Sequence, residues 1–300
     1  MTDHATAHRL FTRYLMVDWS AKRTPATGKD SIWFAEGDED GRVVAEANPP
    51  TRRAATSAIA GRLQGAVREG HSVLVGFDFP FGYPAGFGPA VGRGREDWLG
   101  VWQRLSAELE DDDRNGNNRF ELAAGLNAEC AFEAGPFWGC PVNRDSGHLK
   151  PRAPEWSSLH WRRLRHTEAR MRNGVQETWK LYGNGSVGSQ ALTGIPRLHE
   201  LRYAPGLAAV STVWPFETGF SMPTRTTPRV AYAEIWPGVL GRGVLDVGMV
   251  RDRAQVRQLA AHWAALDVSG ELRRCFEQPA GLDPECVREC VSEEGWILGS

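Results

Sequence analysis

Along the first eighty residues the apolar positions fall into a regular series. RYLMVDW (13–19) is an apolar run closed by Asp18. SIWFAEG (31–37) and RVVAEAN (42–48) are two more runs of strand length, joined by a turn that carries Asp40-Gly41, a hairpin signal. Together they predict three consecutive antiparallel strands. From Thr51 to Glu69 the apolar residues recur at 55, 59, 63 and 67, a helical spacing, and Gly70 supplies a stop. The next run, SVLVGFDFP (72–80), is apolar at nearly every position and not merely at alternate ones. That predicts a central strand covered on both faces, parallel to the first through a helical crossover.

The pattern then changes. Residues 82–95 are rich in Gly and Pro, as loops are; helical spacing returns at 96–110 and 119–133, and GPFWGCPV (135–142) is again irregular. The stretch 156–173 is markedly basic and predicts a helix. Residues 84–200 thus read as a helical insertion or cap on the sheet, within one domain spanning 1–300, since no low-complexity linker or internal repeat sets them apart. Strand-like runs resume at TVWPFETG (212–219) and VAYAEIWPG (230–238). An amphipathic segment, 251–267, predicts a long helix, and Asp283-Pro284 predicts the start of a short last one, with Asp as N-cap and Pro in the first turn.

Composition narrows the class of protein. Of 300 residues 41% are hydrophobic and 24% charged, enough for a core that needs neither disulfides nor metals in order to fold. The formal net charge of −2 provides no basic field, which argues against avid sequence-independent nucleic-acid binding. No apolar run approaches the roughly 20 residues that span a bilayer, and MTDHATAHRLFTRY has no apolar signal core, so a cytoplasmic protein is expected. Five cysteines include no CxxC pair. Cys286 and Cys290, four apart, are either close enough to share a metal or, with no histidine beside them, small buried residues.

The candidate chemistry centres on acids at strand ends. Asp18 and Asp78 each close an apolar strand, followed by Trp19-Ser20 and Phe79-Pro80. Three antiparallel strands, a helix and a parallel strand make an α/β mixed sheet in ribonuclease-H-like order, with the first strand and the strand after the helix side by side. The two aspartates then meet at one sheet end. Carboxylates within about 4 Å repel each other, and their natural use is to share a hard cation such as Mg²⁺ or Mn²⁺. Taken singly, each is equally an aspartate of a turn or a helix cap. Glu234 also ends an apolar strand and is the third candidate ligand; Asp283 follows, then Glu293 and Glu217.

A second feature is YGNGSVGSQALTGIP (182–196), with glycines at 183, 185 and 188 before a helical stretch. It is either a structural turn or a cradle whose backbone N–H groups receive an anion. It lacks the Gly-Lys-Thr of a phosphate loop, but Lys180, Ser189, Gln190 and Arg197 form the polar set that a phosphate or nucleotide would use. Arg162, Arg163, Arg165, Arg170 and Arg172 either track a phosphate backbone or form a solvated helix face. The histidines show no paired metal spacing, which disfavours a zinc hydrolase, and no Ser-based triad can be assembled around GSVGS.

LMVDWSA, VLVGFDFPFGYP, YGNGSVGSQALTGIP, AEIWPG and EEGWILG together resemble a bacterial family of predicted nucleases, a domain of unknown function with a ribonuclease-H-like fold. The resemblance spans most of the chain and is weakest in the insertion. It matches Asp18, Asp78 and Glu234 to the family's acidic positions, and implies a metal-dependent site for cleaving or transferring phosphoryl groups. A further acid on a late helix is usual in this class, where this chain offers only the helix-capping Asp283. Three functions stay open: a phosphodiester hydrolase, a nucleotide-dependent phosphoryl-transfer or cofactor-biosynthesis enzyme, and a non-catalytic binding protein that keeps the fold.

Overall fold

A computed structural model describes residues 9–130, 135–171, 175–223, 229–241 and 248–300. The first three apolar runs are strands β1 (Arg13–Asp18), β2 (Trp33–Gly37) and β3 (Val43–Ala47), paired antiparallel in sequence. Helix α1 (Arg52–Arg68) follows, its first turn closed by the Thr51 hydroxyl, which accepts from the Ala54 amide. Gly70, at φ +83°, turns the chain out of the helix in a conformation that disfavours any side chain. Strand β4 (Val73–Phe77) then lies parallel to β1.

The chain between β4 and the next strand holds α2 (Phe87–Val91), α3 (Trp98–Glu108), α4 (Arg119–Cys130), α5 (His166–Arg170) and α6 (Gly188–Arg202). Strands β5 (Ser211–Val213) and β6 (Val230–Glu234) complete a six-stranded mixed sheet of order β3-β2-β1-β4-β6-β5, with β4, β6 and β5 mutually parallel. Helix α7 (Arg251–Ser269) packs on one face; α8 (Leu272–Cys275) and α9 (Pro284–Glu289) follow, and a π-helical turn at Cys290–Glu294 extends the last.

Strand alternation assigns each side chain to a face. Leu15, Val17, Val75, Phe77 and Tyr232 join α1 and α6 in one core, while Tyr14, Met16, Leu74 and Ala233 join α7 in the other. That is why β4 is apolar throughout. Gly76 has no room for more: a Cβ there would stand 2.7 Å from both Met16 and Ile235. Phe120, Leu126, Phe137 and Trp179 from 84–200 belong to the same core as Leu15 and Val75, so that segment is packed on the sheet through shared apolar contacts.

Two predicted elements are corrected. Residues 156–173 do not form one helix; a 3-10 turn at Trp156–Ser158 leads through irregular chain to α5. The arginines explain it. Arg165 is fully buried between Glu168 and Glu234, Arg162 pairs with Glu289 and Glu294, and Arg163 with Glu177. Charges drawn toward different partners cannot share a solvated helical face; Arg172 lies outside the described residues. The run 212–219 is a strand only to Val213, because Pro215 has no N–H for a ladder and Glu217 folds back to accept from the Val213 amide at 2.7 Å. The end of the 119–133 helix beyond Cys130 also falls outside the described residues. No helix among the described residues is long and apolar enough to cross a membrane.

Candidate functional site

Parallel pairing of Val17 with Phe77 carries Asp18 and Asp78 to the same level at the carboxyl ends of adjacent strands. Both take the face of Met16, the α7 side. The Asp78 carboxylate accepts the Trp19 amide at 2.8 Å, tying the two strand ends together. The Asp18 carboxylate accepts no hydrogen bond from any described residue.

A further acid comes to this sheet end from Asp252, in the first turn of α7. The helix runs antiparallel to β1: Asp267 at its far end receives the Leu10 and Phe11 amides and the Tyr14 hydroxyl, which brings Asp252 over the end carrying Asp18. Asp252 accepts the Asp30 amide at 2.6 Å. Arg253 and Arg257, on the same helix, hold Glu46 of β3.

Electrostatics bind these acids into one group. Burial, then the charges of Asp78, Asp252 and Asp30, push the Asp18 carboxyl well above the ordinary carboxylate range, against a smaller opposing pull from Arg251. Burial pushes Asp78 up to about 7, opposed by its amide bonds. Uncompensated carboxylates of this kind are stabilised by a cation.

Asp18, Asp30 and Asp252 line a cavity of about 660 Å³ together with the Gly-rich segment Tyr182–Val187, Ser189, Gln190, Lys22 and Arg119. The loop is shaped by Gly183 and Gly185, at φ +97° and +71°. Gly188 opens α6 where a Cβ would stand 2.4 Å from the Thr178 carbonyl. No side chain caps the helix, whose first amide, Gly188, donates to the Lys180 carbonyl at 3.0 Å. Gln190 donates to the Trp19 carbonyl at 2.6 Å, joining the loop wall to the acidic one.

The structure sorts the predicted residues. Ser189 and Gln190 reach the cavity. Lys180 does not line it; its ammonium braces the loop from behind by donating to the Asn184 carbonyl at 2.7 Å. Arg197 points elsewhere, into pairs with Asp111 at 2.9 Å and Glu200 at 3.1 Å. Asp283 caps α9 by accepting the Glu285 and Cys286 amides, and has no part in the acidic group. Glu293 accepts the Gly86 and Gly88 amides, and Glu217 pairs with Arg202.

Glu234 is the instructive correction. It is level with Phe77, hence with Val17, one residue short of the aspartates and on the opposite face. Its carboxylate is consumed by Arg165, at 2.6 and 2.8 Å, and by the Phe81 amide at 3.0 Å. Asp18, Asp78 and Glu234 therefore do not converge. Among the described residues the group that does bring three ligand atoms within 4.8 Å is His166, Glu289 and Glu294. Arg162 already satisfies it, at 2.5 Å from Glu289 and 2.6 Å from Glu294, so a metal would have to expel a guanidinium. The cysteines are free thiols: Cys290 is buried and Cys286 donates to the Asp283 cap.

The sequence offered little to find Asp252 or Arg119, each one charge among several on a helix. Compared with protein-family models, curated proteins and solved structures, the chain matches none.

Proposed function

We propose that this chain is a ribonuclease-H-like, divalent-metal-dependent hydrolase of phosphate esters, with phosphodiesters as its substrate class. The observation that carries the reading is the pairing of Asp18 and Asp78 at adjacent parallel strand ends, with Asp18 and Asp252 on the wall of a cavity that also holds a Gly-rich loop and the first turn of α6. The donor set suits Mg²⁺ or Mn²⁺: all-oxygen, anionic and without soft ligands. Such ions are commonly held by one or two carboxylates together with substrate phosphate, so Asp18 and Asp78, with Asp252 nearby, suffice without Glu234. A bound cation would lower the pKa of water and offset charge on the phosphoryl oxygens. The chain itself orients Asp78 through the Trp19 amide and keeps Asp18 free of protein donors. Its loop walls the cavity on which the substrate would rest.

Calorimetric titration with Mn²⁺ tests the reading, alongside cleavage of bis(p-nitrophenyl) phosphate. The wild-type chain binds Mn²⁺, and Asp18→Asn and Asp252→Asn weaken binding at least tenfold and abolish cleavage. Equal affinity in wild type and Asp18→Asn would sink the proposal. Phosphoryl transfer from a nucleotide is the second reading, favoured by the loop's place in the acid-lined cavity; a rise in melting temperature with ATP and Mg²⁺, unaccompanied by diester cleavage, would replace the first with it.

A further inference from the structure

Arg119 differs from the buried arginines Arg52, Arg104 and Arg165, each of which has a carboxylate partner. Arg165 has Glu168 and Glu234, and Arg52 has Asp111 at 2.5 Å. Arg119 is only 7% exposed, yet it has no carboxylate within ion-pairing distance among the described residues. The acid nearest in its own helix, Glu121, is taken by Arg144. Its Nε donates to the Ser189 hydroxyl at 2.8 Å and its Nη1 to the Asn117 side chain at 2.9 Å. Nη2 donates to no described residue. Besides these contacts the guanidinium rests over the Phe120 ring at 4.5 Å; a buried guanidinium with no carboxylate partner is a costly arrangement unless an anion completes it.

Its position says where that anion would be. Arg119 lines the same cavity as Asp18, Asp252 and the 182–187 loop. The hydroxyl it grips belongs to Ser189, the second residue of α6, so the guanidinium is fixed to the uncapped end of that helix. Ser189 is itself fixed, donating to the Leu181 carbonyl at 2.6 Å. Guanidinium, helix N-terminus and loop amides are the donor types that receive phosphoryl oxygens. We propose that Arg119 is the phosphate-binding residue of this cavity, taking a non-bridging phosphoryl oxygen of the substrate through Nη2 beside the N-terminus of α6. This rests on the phosphate-ester reading above and adds to it the group that holds the anion, a role the sequence had given to Lys180, Ser189, Gln190 and Arg197 together.

Burial, followed by repulsion from Arg52 and Arg23, brings the Arg119 guanidinium down to about 10. It still carries its charge at neutral pH, in a locally positive setting that a phosphate would relieve.

The test is calorimetric titration of the metal-free chain, in EDTA at pH 7, with inorganic phosphate and separately with AMP. Wild type binds at least one of these; Arg119→Met weakens that binding at least tenfold, and Arg119→Lys, which keeps charge but loses the fork, falls between. Tighter binding of AMP than of phosphate assigns the anion to a nucleotide, and equal binding to a bare phosphoryl group. If Arg119→Met does not fold, the side-chain N–H resonances of Arg119 in the wild type decide: they shift on phosphate addition. No binding of either probe, Arg119→Met binding like wild type, or unmoved resonances would overturn the proposal. Loss of Mn²⁺ binding with phosphate binding intact would instead count against the metal reading alone.

Discussion

Replacing Glu234 by Gln separates a structural carboxylate from a metal ligand. The change keeps the side chain's shape and leaves an oxygen for the Phe81 amide. It removes the charge that faces both terminal nitrogens of Arg165, at 2.6 and 2.8 Å, and turns an amide donor toward one of them. Arg165 is wholly buried, so its charge finds no water. Glu168 is left as its one carboxylate partner, and burial pushes Glu168 itself up to about 7. Breaking a buried ion pair by removing one partner costs about 3–5 kcal/mol. At about 2–4 °C per kcal/mol for a chain of this size, the melting temperature falls by about 6–20 °C. Calorimetry measures that loss, and Mn²⁺ titration of the folded variant at lower temperature shows unchanged affinity. Arg165→Met, which strands two acids at once, costs more than Glu234→Gln. A stability loss under about 1 kcal/mol, joined to a tenfold loss of Mn²⁺ affinity, would refute the assignment of Glu234 to the fold and return it to the metal.

Asp78 carries the opposite signature. Its folded-state value lies above its unfolded one, so the contribution is fully present below the ordinary carboxylate range and is lost as pH rises through about 7. Asp78→Asn keeps the acceptor for the Trp19 amide and removes the charge. In the metal-free chain at pH 8 it raises unfolding free energy by about 1–3 kcal/mol. The gain vanishes near pH 4 in urea titrations; a variant less stable than wild type at pH 8 would contradict the picture of an uncompensated acid. Asp283→Ala removes the cap of α9 and lowers stability by about 0.5–2 kcal/mol. Mn²⁺ affinity stays within twofold; a larger fall would put Asp283 back among the ligands.

The alternating and continuous apolar runs of residues 13–80 carried the arrangement of β1, β2, β3, α1 and β4, because each run has one way to bury its face. They also placed Asp18 and Asp78 at strand ends, since an apolar run that stops at an acid marks where burial stops. Glu234 ends its strand by the same local signal, and the signal misleads. What separates it from the aspartates is a single step of register between β4 and β6, which sends its side chain to the other face and into Arg165. Register is a property of paired strands, and no run of residues displays it alone. Asp252 and Arg119 show the same limit in helices. Each is one charge among many on a polar surface, and only packing decides which of those charges reaches the cavity: α7 laid antiparallel to β1, and α4 packed where Arg119 meets Ser189. Sequence determined which acids stand at the ends of buried strands. Tertiary structure decided which of them share a face and which lone arginine joins them, because both depend on contacts between segments far apart in the chain.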